Sequence, residues 1–343
     1  MPSPESPADY TTRYRKGLDP NARVRPGLLS NPLARTNWRT VGHGKLSALL
    51  PDRAAAIETP SIHALEPALE TLLFEHAVNV LVLNGGDGTI HHTLNAAIRV
   101  TDRHQVPMPL FLFVNGGGMN MLARVFGTRG HPVRTFERFL GHIRGARFGS
   151  VPKRGVPLLA AREPDGNLRH GTIFGSELVF NALTMYERFG QGYRGLTRFL
   201  FEVAAGYTLR TELWNRFGHL LDAPTTPLVI DGDVFPRYTS VVATTVPLQL
   251  VKGAVATVRR MSSPGGMSVV GVLPIDKGEV IALIPPLMIG ARARGLEYRR
   301  DVQCLSLHGA YTLDGERFDR HERDARAPLE VIGTRRVVWG VWL

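Results

Sequence analysis

The sequence is short of cysteine, of acidic residues and of long apolar runs, and each shortage closes a class of explanation. One cysteine, Cys304, stands in 343 residues. No internal disulfide and no cysteine-pair metal site can form, and a reducing cytosol is the compartment that fits. No uninterrupted apolar stretch reaches the ~20 residues that a membrane-spanning helix needs. Met1 to Val24 is polar and broken by prolines, without the apolar centre of a secretory signal. Any membrane contact is therefore expected to be peripheral. Low-complexity tracts and internal repeats are also missing.

What is present describes a folded, basic protein. With 43% hydrophobic and 21% charged residues the composition is that of an ordinary globular chain, and 343 residues suit two domains sharing an active-site cleft. Lysine and arginine number 41 against 30 aspartates and glutamates, a net charge of +11. Such a field attracts polyanions, and nucleic acid or an anionic lipid surface would both answer to it.

The chain changes texture along its length. Residues 1–23 carry no apolar periodicity and read as a flexible leader. Residues 24–150 read as α/β. A strand near Leu28 meets a turn at Asn31-Pro32, Leu65, Leu69, Leu72 and Leu73 share a helical face, and Val78 to Leu83 and Leu110 to Val114 are short buried strands. Between those two strands Ile90, Leu94, Ala97 and Ile98 recur at helical spacing, which completes one βαβ crossover.

Residues 151–325 break into short runs typical of antiparallel strands: Thr172 to Val179, Pro227 to Ile230, Ser240 to Val246, Met267 to Leu273, Val280 to Ile284 and Val302 to Leu307. Leu196 to Tyr207 is the helical exception. Residues 326–343 form a last segment that could return to the first domain.

The chemistry is concentrated at Asn84-Gly85-Gly86-Asp87-Gly88-Thr89, directly after the strand ending at Leu83, with a helix expected from Thr89 or Ile90. Glycines let backbone N–H groups approach an anion, and a helix N-terminus adds partial positive charge. Thr89 would cap the helix or donate to a phosphate oxygen. No lysine follows the last glycine, so this is neither a Walker-type loop nor the G-x-G-x-x-G of dinucleotide folds. Asp87 beside a polyphosphate needs a function: holding Mg2+, bonding ribose or backbone, or taking a proton. His91 and His92 point in different directions on a helix and read as surface.

Gly85-Gly86-Asp87-Gly88-Thr89 resembles the nucleotide-binding signature of the superfamily that contains the diacylglycerol, sphingosine and NAD kinases. Three further segments agree in order. Asn31-Pro32 is similar to the turn that opens the lipid-kinase catalytic domain. Gly116-Gly117-Gly118-Met119-Asn120 followed by Leu122-Ala123-Arg124 is similar to that branch's second glycine loop, and Leu313-Asp314-Gly315-Glu316 to the Asp-Gly-Glu element of bacterial diacylglycerol kinases. The second glycine loop favours the lipid branch over NAD kinases.

The resemblance implies a Rossmann-like α/β nucleotide-binding domain, an antiparallel β-rich, sandwich-like lipid domain, and an active site in the cleft between them. It implies ATP and Mg2+ as cofactors, with phosphates cradled by Gly85 to Thr89 and Gly116 to Gly118, and Asn120, Asn31 and Arg35 as further nucleotide contacts. Asp314 would be the general base with Asp87 as its rival, and Glu316 would serve metal or orientation. Two positions depart from the pattern: Gly118 replaces the usual threonine, and Ala34-Arg35 the usual Ser-Gly. Pro264-Gly265-Gly266-Met267 lacks the aspartate many relatives carry, so no metal site is transferred there.

The acceptor would be the primary hydroxyl of diacylglycerol, ceramide or a sphingoid-type lipid at the inner face of a membrane. Arg188, Arg194, Arg198, Arg210 and Arg216 around the Leu196 helix, interleaved with Tyr186, Phe189, Tyr193 and Trp214, suit anionic headgroups, although a core-packing helix with charged ends has the same pattern. No nucleic-acid recognition signature accompanies them. An NAD kinase-like phosphotransferase and a catalytically silent, nucleotide-regulated lipid-binding protein are the alternatives.

Overall fold

In the computed structural model residues 7–34, 43–116, 121–128, 130–186, 193–248, 258–273, 276–283, 285–286, 291, 293–320 and 327–343 are described. They belong to two compact units, Met1–Gly155 with Val338–Leu343, and Val156–Val337.

The first unit is built on parallel strands β1 (Pro26–Ser30), β2 (Ala56–Glu58), β3 (Val80–Gly85) and β4 (Leu110–Asn115), in the order β2-β1-β3-β4. The end of the chain's last strand joins β4 in parallel, with Gly340 opposite Phe111. β3 is buried along its whole length, as a strand covered on both faces must be. One side packs Leu28, Val80, Val82, Leu112 and Val114 against Phe136 and Phe139.

Its longer helices are α1 (Pro7–Gly17), α2 (Leu65–Glu70, continued by a wider turn Thr71–Glu75), α3 (Asp87–Arg103) and α4 (Pro132–Ile143). α3 buries Ile90, Leu94, Ala97 and Ile98 and is tied to α2 by Glu66, which meets Arg99 and Arg103 at 2.6 Å each. The bond to Arg99, then that to Arg103, holds the Glu66 carboxyl below its usual range.

α1 lies where a flexible leader was expected. Tyr14 is fully buried, edge-on to Phe74 at 5.7 Å, and its hydroxyl donates to the Pro107 carbonyl at 3.0 Å. Arg13 donates to the carbonyls of Phe74 (2.9 Å) and Glu75, and Arg15 to that of Gln105 (2.8 Å). Those carbonyls lie at or just beyond helix C-termini, where intrahelical partners run out. The segment is held by one tyrosine and by arginines that satisfy helix ends, so an apolar-periodicity reading finds nothing there.

The second unit contains β5 (Lys153–Arg162, which starts in the first unit), β6 (Leu168–Gly171), β7 (Ile173–Gly175), β8 (Leu228–Ile230), β9 (Asp233–Phe235), β10 (Ser240–Thr244), β11 (Met267–Val272), β12 (Leu296–Val302), β13 (Cys304–Leu307), β14 (Tyr311–Leu313), β15 (Glu316–Phe318) and most of β16 (Leu329–Val341). One sheet runs β6-β5-β16-β13-β8-β9 and the other β12-β11-β10-β7-β14-β15. Leu159, Leu228, Leu305 and Val331 of the first meet Phe174, Val241, Val269 and Leu313 of the second in one core. This is the antiparallel half that the short apolar runs predicted, in the sandwich-like form that the resemblance implied.

Helices α5 (Glu177–Tyr186), α6 (Tyr193–Leu209), α7 (Glu212–Phe217) and α8 (Lys277–Ala282) complete the unit. Two expected strands differ. The run from Thr172 to Val179 breaks at Thr172 and becomes helical at Glu177. Val280 lies in α8 because Asp276 caps that helix, its carboxylate accepting from Gly278 N at 2.8 Å and Glu279 N at 3.1 Å.

Candidate active site

The carboxyl ends of β1, β3 and β4 lie side by side, with Ser30 opposite Asn84, Asn84 opposite Val114, and Gly85 opposite Asn115. The chain leaves β1 outward to β2 and then returns to the other side of β1 to form β3. The β1/β3 boundary is therefore a switch point, the position at which open α/β sheets bind ligands outside their carboxyl ends.

Each strand contributes one element to this edge. After β1, Asn31 forms a turn: its N–H donates to the Asn84 carbonyl at 3.0 Å, and its side-chain oxygen accepts from Leu33 N at 2.8 Å. Its amide also donates to Thr89 Oγ1 at 2.9 Å. After β3, Gly86 is the N-cap of α3, and Asp87 is already the first helical residue, two positions earlier than the glycine spacing suggests. The first helical bond here runs from Ile90 N to Gly86 O at 3.0 Å, so the N–H groups of Asp87, Gly88 and Thr89 precede it. Thr89 does not cap the helix; its hydroxyl is the acceptor for Asn31.

Close packing explains the glycines. A Cβ on Gly85 would fall 2.5 Å from the Thr89 side chain, and one on Gly116, after β4, would fall 2.7 Å from Gly85 N. Asn31, Gly85 to Thr89 and Gly116 are thus brought together, with Asp87 as the first helical residue of the same junction. Arg35, Gly117, Gly118 and Asn120 lie outside the described residues. His91 is a correction to the surface reading: it is buried, edge-on to His92 at 5.2 Å, and its carbonyl accepts from Asn95.

Asp314 and Glu316 belong to the second unit, in the β14–β15 hairpin. Asp314 (φ 53°) and Gly315 (φ 90°) both take the left-handed conformation that a two-residue hairpin turn requires. Asp314 N donates to Ile173 O at 2.8 Å. Its Oδ1 accepts from Thr172 N at 2.8 Å, Ile173 N at 3.0 Å and the Thr172 hydroxyl at 2.7 Å.

The β8–β9 hairpin has the same build. Asp231 (φ 48°) and Gly232 (φ 92°) make its turn, Asp231 N donates to Cys304 O at 2.9 Å, and Oδ1 accepts from Gln303 N at 3.0 Å and Cys304 N at 2.9 Å. Thr172 was missed as a site residue. It is 142 positions from Asp314, and a threonine inside an apolar run carries no signal of its own.

Fold and site together define a two-unit protein whose α/β unit presents a glycine-lined strand-to-helix junction at the switch point of a parallel sheet. Residues 28–151 match the family model of the diacylglycerol kinase catalytic domain. The match takes in the Asn31-Pro32 turn and both glycine loops. The fold as a whole is similar to solved structures from Bacillus anthracis str. Sterne. One, a provisionally named diacylglycerol kinase, has a TM-score of 0.59 at 14% identity over 93% of this chain and 97% of that one. Another, a diacylglycerol kinase, has a TM-score of 0.55 at 13% identity with the same shares covered. At this identity the likeness is one of fold. No curated protein matches the chain.

Proposed function

We propose that the protein transfers the γ-phosphate of ATP to the hydroxyl of a membrane lipid of the diacylglycerol or ceramide/sphingoid type. The observation that carries this reading is the junction at which Asn31 holds Thr89, and Gly116 packs on Gly85, within a segment that matches the diacylglycerol kinase catalytic-domain family. Phosphoryl transfer asks little of a protein beyond alignment, charge neutralisation and a destination for one proton. The N–H groups of the first turn of α3 would receive phosphate oxygens, helped by the helix dipole. Arg35, Gly117, Gly118 and Asn120 would add contacts from beyond the described residues.

Mg2+ is usually held by one or two carboxylates together with phosphate oxygens. Asp87 would be its protein ligand at the junction, Glu316 the further candidate, and when bound the ion would neutralise charge on the phosphates. In the transfer the lipid oxygen bonds to the γ-phosphorus as the bond to the β-phosphate oxygen breaks, and ADP leaves. Asp314 would take the hydroxyl proton.

The substrate is insoluble, so the protein must work at a membrane surface from the cytoplasmic side. Among the described residues no helix is long and apolar enough to cross a membrane. α6 supports peripheral docking instead: Phe201 and Leu209 are each 72% exposed, and Arg198 and Arg210 are exposed beside them. Trp214, counted from sequence among the interfacial aromatics, is instead buried against Tyr207 at 5.3 Å.

The test is incubation with γ-labelled ATP, Mg2+ and mixed micelles of diacylglycerol or ceramide, with NAD as a separate acceptor. Label in the organic phase is the expected result. Label in NAD, or nucleotide binding without transfer to either acceptor, would overturn the reading.

A further inference from the structure

We propose that Thr172 is a positioning residue for the reaction, through the bond from its hydroxyl to Asp314. The inference rests on Asp314 being the general base. The two Asp-Gly hairpins supply the comparison. At both turns backbone N–H groups of an adjacent strand grip Oδ1, at 2.8 and 3.0 Å for Asp314 and at 3.0 and 2.9 Å for Asp231. That grip accounts for the turn in each case. Only at Asp314 does a side chain among the described residues add a third bond, from the Thr172 hydroxyl at 2.7 Å. At the equivalent place by Asp231 stands Gln303, which donates through its backbone alone.

The surroundings are arranged to deliver that hydroxyl. Thr172 is 3% exposed and occupies the break between β6, which pairs with β5, and β7, which pairs with β10 and β14. Its carbonyl accepts from Thr245 N at 2.9 Å, which fixes the backbone at the corner. Gly171 lets the corner come close: a Cβ there would fall 2.8 Å from Asp314 Oδ2 and 2.6 Å from the Leu313 side chain. With the Asp314 backbone held in its turn, the direction of the whole carboxylate is set by how firmly Oδ1 is gripped. The Thr172 hydroxyl adds a third bond to that grip and so narrows the range open to the carboxylate. Reaction rates are sensitive to such placement, and a displacement of about 1 Å can cost ~100-fold.

The experiment compares the parent protein with Thr172→Val, Thr172→Ser, Asp314→Asn and Asp231→Asn, using labelled ATP and diacylglycerol micelles well below the thermal midpoint of each. For Thr172→Val we expect kcat to fall roughly tenfold to a hundredfold, with KM for ATP and for lipid within about twofold. Thr172→Ser, which keeps the hydroxyl, should recover most of kcat, and Asp231→Asn should change the thermal midpoint but not kcat. An unchanged kcat in Thr172→Val beside an inactive Asp314→Asn would overturn the inference and leave the base assignment standing. Turnover retained in Asp314→Asn overturns that assignment and this inference with it, as does the lack of any turnover in the parent. Should Thr172→Val not fold, Thr172→Ser decides: kcat near the parent value supports the hydroxyl, and a loss of tenfold or more overturns it.

Discussion

The side-chain amide of Asn31 and the hydroxyl of Thr89, 58 positions apart in sequence, are joined at 2.9 Å. The bond spans the switch point, tying the turn after β1 to the first turn of α3. Removing it should loosen the proposed phosphate-binding edge without unfolding a sheet whose β1 and β3 are buried along their length. A hydrogen bond of this kind contributes about 0.5–1.5 kcal/mol. Asn31→Ala is therefore expected to weaken ATP binding several-fold to about tenfold by titration calorimetry, with the far-ultraviolet spectrum unchanged. Unaltered ATP affinity would show that the edge does not depend on this tie.

Gly116 tests the same edge by crowding. An added Cβ would meet Gly85 N at 2.7 Å and Gly85 Cα at 2.9 Å, both backbone atoms that no side-chain rotation can move aside. The ends of β3 and β4 must separate. Overpacking of this kind costs about 1–3 kcal/mol. Gly116→Ala should lower the thermal midpoint and weaken ATP binding together, whereas a stable variant with parent affinity would mean that the two strand ends tolerate separation.

Asp231 is expected to matter for stability alone. Its Oδ1 accepts two backbone N–H groups at a hairpin turn, and Asp231→Ala leaves both without that acceptor. Both bonds are exposed to solvent, and each contributes about 0.5–1.5 kcal/mol, so the urea midpoint should fall while turnover per folded molecule is kept. A loss of kcat with unchanged stability would give this turn a function that its geometry does not.

Much of this could be read in the sequence because the features were local. The β3–α3 junction was visible because strand, glycines and helix follow one another, and the sandwich-like half because turn residues punctuate short apolar runs. What escaped depended on partners far away along the chain. α1 is fixed by Tyr14, Arg13 and Arg15 acting on groups between residues 74 and 107, and Thr172 acquires its significance from Asp314. The start of α3 was misjudged because Asp87 sits among glycines, yet with Gly86 as N-cap a carboxylate in the first turn complements the helix dipole. The strand predicted through Val280 gave way to a helix because a capping aspartate four residues upstream outweighed a short apolar run.

Glu177 gives a pH-dependent prediction. Burial first, and the nearby Asp319 second, push its carboxyl above the usual range. The folded state then binds a proton more readily than the unfolded chain. Its contribution to stability is fully present below the unfolded pKa of ~4.3 and is lost as pH rises through the folded value. Glu177→Gln removes the penalty of the buried charge. Its thermal midpoint should exceed the parent's at neutral pH, and the gap should close toward about pH 4. A gap that does not vary with pH would assign the effect to packing.

The exposed face of α6 makes the last prediction. Phe201 and Leu209 are eight residues apart, two helical turns or ~12 Å along the axis, with 72% of each side chain's residue exposed. An apolar residue left in water gains about 1.5–3 kcal/mol when buried, and the exposed Arg198 on the helix and Arg210 just past its end favour an anionic surface over a neutral one. Phe201→Ser with Leu209→Ser should therefore reduce sedimentation with phosphatidylglycerol-containing vesicles by tenfold or more in apparent affinity, since each side chain contributes about that factor. KM for micellar lipid should rise while KM for ATP stays constant, because the substitutions remove contact with the surface and leave the nucleotide edge untouched. If vesicle binding persists but disappears on adding salt, charge alone carries the attachment; if it persists in salt as well, a face other than α6 meets the membrane.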